Sequence, residues 1–477
     1  MLSTFFFLEN ENMQNKALKS ILFLNVIGII VCFFLSNYVV FDGFEHIKIS
    51  YLVSQGNVPY RDFFEHHHPL LWYVFAPIMY VLPHNFALAY YTSRIFSLIC
   101  SLATLFIIGK TINKFLGGKE NVLYFLVILF MFFPMWFCIS HLKPDILARL
   151  FYFAGLYYFF CYAEKFQTKD LVYCALCFIF SFFTLQNMVI SIFPLAIPML
   201  YLWRKQKKVG KDILISAIAP ICLTAIVVAV FVAYGIWKPY FQLNWIYNAH
   251  LFEYTHINDI SLLYCWKIPV LMGVCAWLWQ IKQRKTTFYI NTIGILCIAE
   301  IIQHMYFKAV FHHYLILLFI YVSILAAPVA INIKNKIVKA ILFVATIVIF
   351  GLNFNYVWNY DTQMFKDLNE LNPKEDEYIF NVGFRYVNVY APLISYYQLY
   401  VGTAKIDNIL FDRYPDYDIN KFIEEHKVKY LDYVLINNKY INPSIPKEYN
   451  RFEISNETLS KYEEVRPALW QRKEEYR

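Results

Sequence analysis

Only 14 carboxylates lie in the first 355 of 477 residues, and they are unevenly placed. Asp42, Glu45, Asp62 and Glu65 fall close together, within Asp42-Gly-Phe-Glu45-His46, Gly56-Asn-Val-Pro59-Tyr60-Arg61-Asp62 and Glu65-His-His-His68-Pro69-Leu70. Asp145 stands in His141-Leu-Lys-Pro-Asp-Ile-Leu-Ala-Arg149, and Glu253 and Asp259 lie in the polar connection 236–260. Asp42 closes a long apolar run, where surroundings of low polarity raise the basicity of a carboxylate and suit it to take a proton from a hydroxyl. The alternative for Asp42 is an ordinary helix-end carboxylate in water. Arg61, Arg94, Lys143 and Arg149 lie near these acids, and a guanidinium fork matches the oxygens of a phosphate. Asp145 and Arg149 are four residues apart, so a helical i,i+4 ion pair explains them equally well. Glu300, followed by Gln303 and His304, sits within an apolar segment. A carboxylate there is either functional or a neutral, hydrogen-bonded packing residue. Of the consecutive His66, His67 and His68, alternation in an extended chain lets at most His66 and His68 share a ligand, and no bound metal is expected. Cys174 and Cys177 form a CxxC by spacing, but in an apolar helix with no neighbouring His or Lys they carry no redox or metal expectation. No disulfide framework is expected from the ten cysteines, all of which precede residue 300.

The elements that must hold these groups are membrane helices. Hydrophobic residues make up 59% of the chain and charged residues 16%, against about 25% in a usual soluble domain, and the mean hydropathy is +0.44. A soluble enzyme, a disordered chain and a nucleic-acid binder are thereby excluded. Twelve apolar segments run between residues 19 and 355, and all but one are long enough to cross a bilayer. The exception, 68–83, is short, contains Pro77 and is bounded by Pro69 and Pro83. Treating it as a juxtamembrane helix leaves about eleven spans and brings the basic clusters Lys16/Lys19, Lys110/Lys114/Lys119, Lys165/Lys169, Arg204 to Lys211, Lys282/Arg284/Lys285 and Lys334/Lys336/Lys339 to one face. That face is expected to be cytoplasmic, with the N-terminus, and the acidic first loop is expected outside. The first span is expected to remain as an anchor.

Residues 1–355 carry 26 basic and 14 acidic side chains, a net of +12, whereas 356–477 carry 16 and 20, a net of −4. The tail therefore reads as a separate, small α/β domain on the extracytoplasmic side. Strand-like runs at 377–382 and 430–436 flank a helix containing residues 421–426, and the last twenty or so residues read as a solvated helix or frayed end.

In order and spacing these motifs resemble the GT-C membrane glycosyltransferases, especially the bacterial group related to protein O-mannosyltransferases and to the lipid A aminoarabinose transferase. Asp42 and His46 take the place of the acid and His after the first span. Gly56, Tyr60 and Asp62 match a Gly-x-x-Pro/Leu-Tyr-x-Asp segment, and His68-Pro69-Leu70 the entry to a juxtamembrane helix. Arg94 matches an Arg near the start of the second span, Pro144-Asp145 a Pro-Asp pair opening a later one, and His313-Tyr314 a His-Tyr before an apolar span. The chain departs at Gly43, where that group commonly has Glu; whether Glu45 replaces it is open.

The resemblance implies an inverting glycosyltransferase that moves a sugar from a polyprenyl-phosphate donor to a lipid, glycan or protein hydroxyl at the outer face of the cytoplasmic membrane, with no cofactor. It also implies roles: Asp42 as base, Asp145 as orienting or assisting acid, Arg94 as the residue that meets the phosphate, with a snorkelling helix-end arginine as its alternative, and His46, Tyr60, Asp62, His68, Lys143, Arg149, His313 and Tyr314 as further substrate-binding residues. A phosphate leaving group needs positive charge and no general acid. A glycan polymerase or ligase would have a large, late outer loop rich in Arg and His, and 236–260 has one Lys and no Arg. A flippase or transporter would show repeats and paired charges at midmembrane; only Glu300 stands there.

Overall fold

The computed structural model describes residues 11–35, 41–250, 260–306, 313–333, 336–358, 363–371, 379–381, 389–391, 396, 410–413, 418–432, 454–466 and 469–476. Long apolar runs leave lipid-exposed backbone few options, because every N–H and C=O must be satisfied within the segment, and helices do this. In chain order they are α1 (Glu11–Leu35), α2 (Phe41–Ser54), α3 (Leu70–Val81), α4 (Phe86–Phe115), α5 (Lys119–Leu129), α6 (Phe133–Cys138) and α7 (Pro144–Lys165). There follow α8 (Thr168–Thr184), α9 (Met188–Lys205), α10 (Lys208–Ala233), α11 (Ile260–Lys282), α12 (Phe288–Tyr306), α13 (Leu315–Asn332) and α14 (Lys336–Trp358). Among the described residues, α4, α7, α9, α10, α12 and α13 are long and apolar enough to cross a membrane. α1, α11 and α14 have 25, 23 and 23 residues, with side chains described in part.

α3 has 12 residues, a rise of about 18 Å, which falls short of the roughly 30 Å hydrocarbon core. With Pro77 inside it and Pro69 and Pro83 flanking it, the helix has the shortness that the sequence reading expects of this segment. The apolar run 121–139 does not form the single expected span. It breaks after Leu129 into α5 and α6, and the carbonyls freed at the break are met by side chains: Trp136 Nε1 donates to Phe130 O (2.8 Å) and Asn353 Nδ2 to Met131 O (3.3 Å). At the α4–α5 turn, Gly117 has φ +110° and a Cβ there would lie 1.9 Å from the Asn121 amide, which itself donates to Leu116 O.

Burial sorts the helices. α13 is buried without a break from Leu315 to Ala327 and forms the centre of the larger core, packed by α5, α7, α11 and α12. α10 is its opposite: Leu214, Ile221 and Ile226 are more than 60% exposed, an apolar surface that only lipid can cover. The chain is a multi-pass membrane protein.

In the tail, α15 (Gln363–Leu371), β1 (Ile379–Asn381), α16 (Ile419–Glu425), β2 (Tyr430–Asp432), β3 (Tyr462–Arg466) and β4 (Leu469–Arg472) include a sheet of order β1-β2-β4-β3, with β1 and β2 parallel and the other pairs antiparallel. The end of the chain is therefore a strand pair, not the expected helix or frayed end. Tyr462 and Leu469 need burial on a sheet face, and the Arg472 guanidinium is buried where it donates to Glu424 on α16 (2.6 Å). Successive residues of a strand face opposite ways. Leu431 accordingly packs with Ile419 and Ile423, whereas Tyr430, Ile379 and Leu469 join a second core with Phe44, Tyr60 and Trp72 of the first loop. Main-chain contacts strengthen this docking: Phe64 N donates to Tyr396 O (2.7 Å), and Tyr390 Oη donates to Pro83 O and Asn85 O (3.2 Å each). The tail and the first loop thus share one end of the helix bundle.

Candidate functional site

The first loop is built by its turn residues. Gly56 has φ +87° and Tyr60 φ +69°, and the Asp62 carboxylate staples the turn by accepting from Val58 N (2.7 Å) while pairing with Arg61 (2.7 Å). The Arg61 hydrogen bond holds the Asp62 carboxyl below the usual carboxylate range. Tyr60 is buried and donates to His67 O. His46 is buried beneath Trp72, whose indole donates to His46 Nδ1 (3.2 Å).

Glu65 organises the histidines, and not by alternation. Its Oε1 accepts from His66 N (2.7 Å) and His67 N (3.0 Å) and lies 2.7 Å from His67 Nδ1, so the chain curls around the carboxylate and brings the His66 and His67 rings to 4.2 Å. The residues that share a possible ligand site are Glu65, His66 and His67, whose ligand atoms lie within 4.8 Å of one another. This corrects the His66 and His68 pairing. The trio could hold a metal ion. His68 turns away: its Nδ1 faces Phe182 O (2.6 Å) and its Nε2 the Tyr240 hydroxyl (3.0 Å), an arrangement that suits a neutral ring donating to the first and accepting from the second. Burial pushes its pKa down to about 3.

Lys48 on α2 is 1% exposed, and its Nζ has no hydrogen-bond partner among the described residues; the Tyr51 ring lies 5.5 Å away. Burial lowers its pKa from 10.5 to about 7. A pKa lowered on folding means that the unfolded chain binds the extra proton between pH 7 and 10.5, so stability rises with pH over that window. Lys48→Met is therefore expected to raise the melting temperature of the detergent-solubilised protein, most at pH 7 and below, with the gain fading towards pH 10. A variant less stable than the parent at pH 7 would contradict this account.

Several of the other residues converge on a cleft between α7, α12 and α13. α7 supplies Asp145 and Arg149: Pro144, at the first helical position after extended Lys143, starts the helix there, and Asp145 lies in its first turn where a carboxylate is favoured. The 185–191 connection supplies Leu185, Asn187, Met188 and Ser191, the end of α12 supplies Glu300, Gln303 and His304, and the start of α13 supplies His313, Tyr314 and Leu317. Arg149 lies 3.8 Å from Asp145 Oδ1 and donates to His313 O (3.3 Å), and Lys143 Nζ is 3.3 Å from His313 Nδ1. Glu300 Oε1 accepts from Ser191 Oγ (2.6 Å). Arg149 also lines a second, small crevice with Leu105, Met135, Ile139, Ile146, Ile316 and Ile320, and with the hydroxyl residues Ser101 and Thr104.

Asp145, Arg149, His313 and Tyr314 are therefore brought together, with Lys143 touching His313. His46, Tyr60, Asp62 and His68 serve hydrogen-bonded packing of the first loop. Arg94 is 1% exposed, donates to Tyr90 Oη (2.6 Å) and Ser140 Oγ (3.3 Å), and stacks over Phe33 (4.6 Å). Asp42 is the second residue of α2, and its side chain lies outside the described residues. The backbone next to it approaches the segment that leads into α7, since a Cβ on Gly43 would lie 3.9 Å from His141 Cδ2. The wall from Leu185 to Ser191 escaped the sequence reading. Its signal is the polar pair Gln186-Asn187 between two apolar segments.

No family model matches this chain, and neither does any curated protein sequence. Among solved structures, ArnT from Cupriavidus metallidurans in the apo state shares its fold with a TM-score of 0.52 at 11% identity, over 81% of this chain and 88% of that one. The crystal structure of ArnT from the same organism bound to undecaprenyl phosphate gives 0.50 at 12% identity, over 73% and 68%. The fold is thus the one expected from the resemblance to the lipid A aminoarabinose transferase group.

Proposed function

We propose that this protein is an inverting glycosyltransferase of the cytoplasmic membrane, moving a sugar from a polyprenyl-phosphate donor to a hydroxyl of a lipid, glycan or protein on the outer face. One observation carries the reading: Arg149 stands in the walls of two adjoining pockets, one with Asp145, Glu300, His304 and His313 in its lining and the other lined chiefly by aliphatic side chains such as Leu105, Ile139 and Ile320. That is the meeting point a phosphate with an isoprenoid tail requires. One end of such a donor needs a guanidinium and the other needs aliphatic side chains. ArnT, whose fold this chain shares, has been crystallised with undecaprenyl phosphate.

In this reading the acceptor oxygen attacks the anomeric carbon as the bond from that carbon to the phosphate oxygen breaks. Asp42 takes the hydroxyl proton, Asp145 orients the acceptor, and the charge of the departing polyprenyl phosphate is met by Arg149 and Lys143. Attack opposite the leaving group inverts the centre. Residues 1–355 supply catalysis with the N-terminus in the cytoplasm, and 356–477 form an extracytoplasmic domain that holds the first loop.

A strain lacking the protein tests this directly. Mass spectrometry of its surface polysaccharide, lipid A and glycoproteins is expected to show one class of molecule short of one sugar, restored by the wild-type chain and not by Asp42→Asn. Identical profiles with and without the protein would end the proposal.

A further inference from the structure

The cleft has two chemically different walls, and only one is used by a phosphate. Lys143 and Arg149 are tied to the α7–α13 side through His313. The α12 side presents Glu300, Gln303 and His304, whose i, i+3, i+4 spacing puts them on one helix face, and all three line the cleft. Glu300 and His304 are 3% and 5% exposed. Ser191 fixes one Glu300 oxygen, and the other lies 3.9 Å from His304 Nε2, too far for a hydrogen bond. Gln303 Oε1 and His304 Nε2 have no hydrogen-bond partner among the described residues. Buried polar atoms are nearly always paired, so a group of them facing a cavity is arranged for something that enters it.

We infer that Glu300, Gln303 and His304, with Ser191 as the brace of Glu300, form the face that reads the hydroxyls of the transferred sugar, and that this sugar carries no acidic group. The inference rests on the donor reading above. A carboxylate, an amide oxygen and the free Nε2 of a neutral imidazole accept from sugar hydroxyls, while the amide nitrogen donates back. A uronic acid would instead bring a second carboxylate against Glu300 with no cation on that wall among the described lining residues. Like charges in a water-poor site repel strongly, and that excludes such donors.

Binding separates the possibilities without knowledge of the acceptor. Full-length protein in nanodiscs is titrated with undecaprenyl phosphate, with its glucose conjugate and with its glucuronic acid conjugate. The wild type is expected to bind the glucose conjugate at least about tenfold tighter than the glucuronic one, the scale of one or two hydrogen-bonded groups. Glu300→Gln keeps the shape, and it is expected to bring that ratio close to one while leaving the undecaprenyl phosphate Kd within about threefold. Gln303→Met is expected to weaken the glucose conjugate alone. Equal binding of both conjugates by the wild type, or an unchanged ratio in Glu300→Gln, overturns the assignment of this wall. A uniform loss in which undecaprenyl phosphate binds as poorly as its conjugates to both variants marks a structural role for the wall and overturns it as well. No binding of undecaprenyl phosphate to the wild type overturns the donor reading itself, and this inference with it.

Discussion

Asp42→Asn is expected to slow sugar transfer by about 10²- to 10⁴-fold, the contribution of a positioned general base, while the Kd for undecaprenyl phosphate stays near the wild-type value. Asparagine keeps the size and one acceptor oxygen but cannot take the proton of the attacking hydroxyl. Asp145→Asn is expected to lose less, because Asp145 is paired with Arg149 at 3.8 Å and in the proposed mechanism only orients the acceptor. Initial rates of label transfer from a polyprenyl-phosphate sugar by purified variants measure both. Full turnover by Asp42→Asn would remove the base from the mechanism, and the search would pass to Asp145, already in the cleft wall.

The second large effect concerns two arginines, of which the sequence reading gives the phosphate to Arg94. Arg149→Ala is expected to weaken undecaprenyl phosphate binding by about 10- to 100-fold, the loss of one or two charge-assisted hydrogen bonds. Arg149→Lys should recover part of it, because it keeps the charge and loses the planar fork. Arg94→Ala is expected to act on the fold instead: the guanidinium is 1% exposed and satisfies the Tyr90 hydroxyl, so its removal leaves a buried polar group and a hole over Phe33. Its signature is a lower melting temperature with a smaller change in Kd. The reverse pattern, binding lost in Arg94→Ala and kept in Arg149→Ala, would return the phosphate to Arg94.

Scarcity of charge made much of this site legible in the sequence. In an apolar chain, Asp145, Arg149 and Glu300 stand out because lipid tolerates no idle ions, and all three line the cleft. The brevity and prolines of 68–83 announced α3 as too short to cross. What stayed hidden was long-range. Nothing in His66-His67-His68 says that the backbone curls around Glu65, because that curl depends on hydrogen bonds to one carboxylate oxygen. The pairing of β4 with β2 and the burial of Arg472 beside Glu424 join residues distant in sequence. The hydrogen bond of Arg94 to Ser140 is likewise invisible along the chain, because Ser140 lies on another segment. Side-chain type was readable along the chain; its partner in space was not.

The contacts that hold the first loop have a consequence for the order of assembly. The loop is braced by Tyr396, whose hydroxyl donates to Tyr60 O across 336 residues, and by Tyr390, which reaches Pro83 across 307. During synthesis the membrane helices and the loop emerge long before these braces exist. The acidic loop therefore reaches its final geometry only after the C-terminal residues have been made and docked, at the expense of closing a very long chain segment. A chain stopped before Tyr390 would carry all the long apolar helices and neither brace, so the first loop is the part of the bundle end that is completed last, by residues of the tail.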